Sequence, residues 1–405
     1  MNSYFKFRVQ RPFGSVLYND DDYFETNEKY FSSILKNSDW SALPAGWLNP
    51  FLGFSGKFKS INPDVEGVKY YTIDESDSLF DSKKYIANLM SAWEGREIGI
   101  KSMTIGNSVT STLLLTMMCL KEQGYKNIFF ETPVYFSTYD QAKLLDLNTF
   151  LIPTWIDDDF MVEIERWIEI VNSQGPSVIW ITQPRFGIGT NQPVEKLQAL
   201  IGMLNKESVI VIDEASEQFW PSHLSCFHSK KPAVIKIRSI FKPLGLHGFR
   251  ISVILHPESW RDHLLSVLDS SGASIDKYSY INALEMSKNI FLYRELLAEA
   301  RSQVQKGLNI ANTILDKEWS IPSNLENGYM GSIFLNLEDI NLTFDKKRAN
   351  LLEYFREQKM PVIMRPTLRF AHDERWELIR LNYFTSIENI QKCAAIINGA
   401  RQIFS

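Results

Sequence analysis

Cysteine is scarce in this chain: three in 405 residues, Cys119, Cys226 and Cys393, far apart and odd in number. They form no C-x-x-C pair, so neither a disulfide framework nor a cysteine zinc site is expected. The six histidines show no H-x-x-x-H spacing, which removes the helical two-histidine metal site as well. No uninterrupted apolar run reaches membrane length, and the opening MNSYFKFRVQRPFG lacks the apolar centre of a signal peptide. No membrane partner is therefore expected, and a cytoplasmic location is. No block of basic residues stands out, and the 43 basic against 48 acidic residues leave a net charge of −5, so no nucleic-acid partner is expected. Internal repeats and low-complexity segments are also missing. What remains is globular in type, with 44% hydrophobic and 22% charged residues, and long enough for two domains with a large core.

Residues 1–60 are rich in aromatics, Asn, Asp and Ser with poor periodicity, and predict an irregular arm carrying one helix near 23–36. Within it LPAGWLNPFLGFSG (43–56) is full of Gly and Pro breakers among aromatics, as expected of a segment that lids a pocket or packs on a partner subunit. A helix is expected at 78–93. From residue 98 a rhythm sets in, with strands at 102–105, 127–131, 148–153, 177–182, 208–213, 233–238 and 250–255. Helices are expected at 108–123, 136–144 and 160–172. Largely apolar strands alternating with helices predict an α/β fold, a mostly parallel sheet covered by helices on both faces. Beyond Pro257 a helix at 259–268, a long helical run at 275–317 with a possible break, strands at 328–337, 361–363 and 377–382, and helices at 346–358 and 386–401 predict a smaller α+β domain. The expected division is an arm at 1–60, a large domain at 61–275 and a small domain at 276–405.

Open parallel sheets bind ligands at the carboxyl ends of their strands, and four such ends carry suggestive groups. RSIFKPLGLHGFR (238–250) places Lys242 at a strand exit, followed by Pro243, Gly245 and Gly248, with Arg250 eight residues on. A lysine amine beside a fixed cation suits covalent capture of an aldehyde next to an anion, the Schiff base and phosphate of pyridoxal 5′-phosphate (PLP). Asp213 ends the apolar run SVIVID, where an isolated charge is costly. A protonated pyridine nitrogen would partner it, and a plain helix cap is the competing reading. Gly106, Asn107 and Ser108 open a helix, as either an anion pocket of amides and hydroxyl or an ordinary N-cap. Tyr135, after Thr132-Pro133-Val134, either lies flat on a planar cofactor or packs.

These pieces, in this order, resemble the PLP-dependent class I/II aminotransferase superfamily of fold type I, over residues 70–383. YYTIDESDSLFDSKKYIANLM looks like the segment whose tyrosine, here Tyr71 or Tyr70, reaches the neighbouring subunit's cofactor phosphate. IGNSVTST resembles the phosphate-cradling helix start, ETPVYFSTY the stacking motif, and VIVIDEASEQF the D-E-A-Y-x-x-F signature. The resemblance implies a Schiff base on Lys242, Ser239 and Arg250 at the phosphate, and Asp213 on the pyridine nitrogen. It gives Arg380 in ELIRLNYF a bidentate grip on the substrate α-carboxylate. Gly46 resembles the arm glycine whose amide helps hold that carboxylate. A homodimer with shared active sites is implied, since Tyr71 serves a neighbour's site only across an interface.

The departures are specific. The family's N-P-T-G turn is here Phe186-Gly187-Ile188-Gly189, so Phe186 stands where an asparagine bonds the cofactor's ring oxygen. Ser216 stands where the second partner of that oxygen, a tyrosine, is expected, and Phe241 replaces a serine before the lysine. A hydroxyl from Ser216 or the guanidinium of Arg185 is available to compensate. A Schiff-base pKa unlike that of an ordinary aminotransferase is expected, which a spectroscopic pH titration tests. The implied activity is transamination of an amino acid or amino-acid-like metabolite, with Lys242 as general base. A decarboxylase or C–S/C–O lyase of the same fold, or a non-catalytic PLP-binding protein, is the alternative. His247 is expected to face solvent, and Trp220 and His223 to lie near the pocket rim.

Overall fold

The computed structural model describes residues 77–404 apart from 153, 155, 157–158, 226, 272–274, 361–362 and 365–374. The predicted arm and its helix, and the positions Gly46, Tyr70 and Tyr71, lie outside the described residues.

The apolar runs form one seven-stranded sheet of Met103–Gly106 (β1), Asn127–Glu131 (β2), Asn148–Ile152 (β3), Val178–Thr182 (β4), Val209–Glu214 (β5), Ala233–Ser239 (β6) and Ser252–Leu255 (β7). The order is β1-β7-β6-β5-β4-β2-β3. Strands β3, β2, β4, β5 and β6 run parallel, while β7 is antiparallel to both β6 and β1. Strands β4, β5 and β6 are buried along their whole length, because helices cover both faces of a parallel sheet and leave no side free for polar residues. Register places Asp213 level with Thr182 on one side and Ile237 on the other. The carboxyl ends of the central strands are therefore flush, and the loops that follow them meet.

The covering helices show their stripe. In Ile164–Ser173 the buried residues are Ile164, Trp167, Ile168 and Val171, recurring at three and four. The helix Val194–Met203 between β4 and β5 is not among the predicted elements; it buries only Leu197 and Leu200, too thin a stripe to announce itself. The long helical run breaks as Lys277–Lys288 and Ile290–Ile314, with Asn289 between them accepting the Leu292 amide as cap of the second.

A second sheet, antiparallel throughout, contains Ser320–Pro322 (β8), Met330–Asn336 (β9), Ile363–Met364 (β10) and Trp376–Asn382 (β11) in the order β10-β11-β9-β8. Its β8 was not predicted. One continuous apolar cluster joins Ile105 and Phe241 of the first sheet's end to Tyr329, Ile333 and Ile379 of the second.

A charged cluster is buried behind the sheet ends. The Arg238 guanidinium lies 2.5 Å from Glu94 and 2.9 Å from Glu214, and Lys236 lies 3.0 Å from Glu94. Trp93 covers Arg238 at 4.8 Å. Each ion is held by more than one partner, which is the condition under which buried charge is tolerable.

Candidate active site

At the carboxyl ends of the central strands lies a cleft of about 530 Å³, part of it open to solvent. Its wall includes Tyr135, Thr182, Phe186, Asp213, Ser216 and Lys242 from the loops of the seven-stranded sheet. Gly328, Tyr329 and Met330 enter it from the edge of the second sheet.

Lys242 is positioned by a short turn. After β6 the chain enters the 3-10 turn Lys242–Leu244, and Gly245 ends it at φ +72°, with its amide donating to the Lys242 carbonyl. The Ser239 hydroxyl accepts the Lys242 amide at 3.0 Å, Gln218 donates to the Pro243 carbonyl at 2.7 Å, and Tyr293 donates to the Ile240 carbonyl at 2.9 Å. Phe241, in place of the expected serine, points inward and packs on Phe249 at 4.5 Å. That replacement therefore adds to the core and removes nothing from the cleft wall.

Asp213 is buried, and its Oδ1 accepts the Ala215 amide at 3.0 Å. Burial pushes its carboxyl above the ordinary carboxylate range, and the Lys242 charge pulls the other way. Lys242 is lowered by burial first, restored in part by Asp213 and lowered again by Arg380. A cationic ring nitrogen placed on Asp213 would relieve the burial cost of its charge, and a neutral Lys242 amine is the form that condenses with an aldehyde. The donor set fits PLP on these grounds.

The remaining candidates are spread around the cleft. Tyr135 lies in its wall, tilted on Phe186 at 5.2 Å. Arg380 is buried in β11, and its charge is felt at Lys242, Tyr135 and Tyr329. Arg250 is exposed, its amide donating to Ser279 at 2.8 Å, and its charge reaches Tyr135 and His247. Ser108 caps the helix Val109–Glu122 in a reciprocal capping box with Ser111. At that helix start Val109 and Thr110 line the cleft, directly after Gly106, Asn107 and Ser108. A Cβ on Gly106 would collide with Thr112 Oγ1, so this glycine serves the packing of helix on strand.

Several expectations are corrected. His247 is half-buried with its ring edge-on to Tyr329 at 5.6 Å; burial, then the Lys242 and Arg250 charges, push it down to about 3. Trp220 stacks on Trp93 at 6.1 Å, and His223 pairs with the Gln192 carbonyl at 3.1 Å. Arg185 lines the cleft, but its guanidinium donates to the Asp159 and Phe160 carbonyls. Tyr329 went unread in the sequence, where Gly328 and Tyr329 are merely the opening of a strand.

Among the described residues there is no cluster suited to a metal ion, and no helix is long and apolar enough to cross a membrane. Residues 73–322 match the model of the family "Aminotransferase class I and II", a family of PLP-dependent transferases. Histidinol-phosphate aminotransferase 2 of Nitrosococcus oceani is 23% identical over 212 residues, covering 51% of this chain and 56% of its own. The enzyme of the same activity from Clostridium beijerinckii is 24% identical over 271 residues, 65% of this chain and 71% of its own. The chain thus spans little more than half the length of the first of these relatives. Among solved structures, aspartate aminotransferase of Thermus thermophilus with maleate superposes with a TM-score of 0.70 at 16% identity, covering 96% of this chain and 97% of that one. That of Thermotoga maritima gives 0.69 at 15% identity, covering 93% and 96%. These likenesses bear out the fold, a seven-stranded mostly parallel sheet covered by helices with a smaller antiparallel sheet beside it. With the matched segment covering more than half of its length, the chain belongs to the class I and II aminotransferase family.

Proposed function

We propose that this protein is a PLP-dependent aminotransferase acting on an amino acid or an amino-acid-like metabolite. One observation carries the reading: Lys242 and Asp213 face one cleft from adjacent strands, close enough that each shifts the other's protonation. In this reading Lys242 holds the cofactor, Asp213 its ring nitrogen, Tyr135 its ring face, and Arg250, Ser239 and the residues Gly106, Asn107 and Ser108 its phosphate end. When bound, PLP supplies an electron sink for the bond broken at the substrate's Cα. Asp213 keeps the ring nitrogen protonated. Lys242, whose burial favours the neutral amine, would take the proton from Cα. Arg380 aligns that bond by gripping the α-carboxylate, with Gly46 contributing an amide.

The chain divides, in this proposal, into the arm at 1–60, the large domain at 61–275 and the small domain at 276–405. It works in the cytoplasm as a homodimer in which Tyr71 completes the partner's phosphate site. Mixing the purified yellow holoprotein with aspartate, aromatic amino acids or histidinol phosphate, with an oxo-acid acceptor, tests the activity. Oxo-acid formation with amine transfer supports it. Carbon dioxide points to a decarboxylase and ammonia to a lyase. A visible band that no amine perturbs points to a non-catalytic binding protein.

A further inference from the structure

Among the described residues of the cleft, one buried phenol has only a poorly aligned neighbour for its hydroxyl. Tyr329 is fully buried, and its hydroxyl makes no hydrogen bond of normal geometry, although it lies against Ser216. Leaving a buried O–H unpaired costs on the order of 1–3 kcal/mol, so such a group in a cleft wall points to what the cleft binds. Its placement is built with care. Gly328 sits at φ +75°, and a Cβ there would stand 2.8 Å from Pro184 and 3.5 Å from the Ser216 carbonyl. Asn327 Oδ1 accepts the Gln218 amide at 2.9 Å, and its Nδ2 donates to Glu217 at 2.7 Å. The Tyr383 amide donates to the Tyr329 carbonyl at 2.9 Å. A turn between the two sheets is thus fastened to the loop after β5, and the ring it carries is braced by His247.

Strand order fixes which flank of the cleft this phenol serves. The phosphate-end residues follow β1 and β6 or precede β7, on one side of Asp213, whereas Phe186 follows β4 on the other. In PLP the phosphate arm and the ring oxygen are attached on opposite flanks of the line from the ring nitrogen to the aldehyde carbon. With the nitrogen on Asp213 and the aldehyde on Lys242, the ring oxygen would fall on the β4 side, the side of Phe186. Phe186 has no donor to offer there. We propose that Tyr329, seconded by Ser216, is the hydrogen-bond donor to the cofactor's ring oxygen, making Tyr329 a cofactor-binding residue outside every motif of the sequence. The assignment rests on the PLP reading above.

A donor that draws charge from the ring oxygen weakens that oxygen's hold on the Schiff-base proton, so losing the donor raises the pH at which the proton leaves. Tyr329→Phe in the holoprotein should move the pH midpoint of the visible band up by about one unit. It should also weaken PLP binding about tenfold while leaving the affinity for 3-deoxypyridoxal 5′-phosphate, which lacks the ring oxygen, unchanged. An unmoved midpoint, or equal losses for the two ligands, overturns the assignment. Circular dichroism checks that the variant folds. If it does not, Ser216→Ala must show the same ligand-selective loss, and equal losses there overturn the proposal. A wild-type protein that neither binds PLP nor shows a visible band sinks the cofactor reading and this assignment with it; a band indifferent to Tyr329 sinks the assignment alone.

Discussion

The guanidinium of Arg380 stands 5.9 Å from the centre of the Phe186 ring, and that ring leans in turn on Tyr135. A cation from the second sheet is thereby set against the aromatic wall of the cleft, on a residue that replaces a polar one in the family pattern. Arg380 is held on β11 opposite Ser332 of β9 and Ile363 of β10, so its direction is fixed from both sides.

If Arg380 grips a carboxylate, Arg380→Lys should fail almost as badly as Arg380→Ala, because an ammonium cannot form the paired hydrogen bonds of a guanidinium. Spectral titration of the holoprotein should show apparent affinity for α-amino acids falling by about ten- to a hundredfold. Affinity for amines without a carboxylate should stay unchanged.

Lys242→Ala should abolish the visible band and any cofactor adduct fixed by borohydride reduction, as read by intact mass. The fold should persist, since the surrounding turn is held by Ser239, Gln218 and Gly245 through backbone groups. A persistent reducible adduct would relocate the Schiff base.

Glu217 lies in the loop after Asp213, and burial, then the Glu214 charge, push its carboxyl up to about 7, with Arg238 opposing. Between the ordinary carboxylate range and that value the folded protein holds a proton that the unfolded chain has released. Stability from this group is therefore present at low pH and falls as pH rises toward 7. Glu217→Gln removes the dependence while keeping an acceptor for the Phe219 amide and the Asn327 side chain. Urea unfolding should show the variant gaining on wild type by on the order of 2 kcal/mol between pH 5 and pH 8.

Gly189 closes the turn that carries Phe186, at φ +79°, and its carbonyl accepts the Glu326 and Asn327 amides at 3.0 Å each. A Cβ there would run into Leu325. Gly189→Ala should destabilise the protein by about 2 kcal/mol or more, combining left-handed strain with a clash, as measured by denaturant midpoint.

The strands were legible because full burial on two faces forces unbroken apolar runs, and β2 falls at its predicted bounds for that reason. Lys242, Asp213 and Tyr135 were legible because chemistry in such a sheet follows strand ends. Residues placed by long-range contact were not. Tyr329 reaches the cleft only because Gly328 fits against Pro184 and Ser216, a contact spanning more than a hundred residues that no local pattern records. His247 reads as a loop histidine until Tyr329 is beside it. Phe241 likewise reads as a loop residue until its packing on Phe249 is seen.

The wall of the cleft draws on residues from Val109 to Met330, so the ends of β1, β2, β4, β5 and β6 and the edge of the second sheet must be in place before it exists. Contacts of such sequence separation carry the largest loop-closure cost and form late in folding. The cleft therefore belongs to the finished molecule alone, and a ligand that fills it stabilises only the chain that has completed the journey, by an amount set by its concentration over its dissociation constant. The colour of the holoprotein, followed during refolding, is then a clock for the last step of assembly.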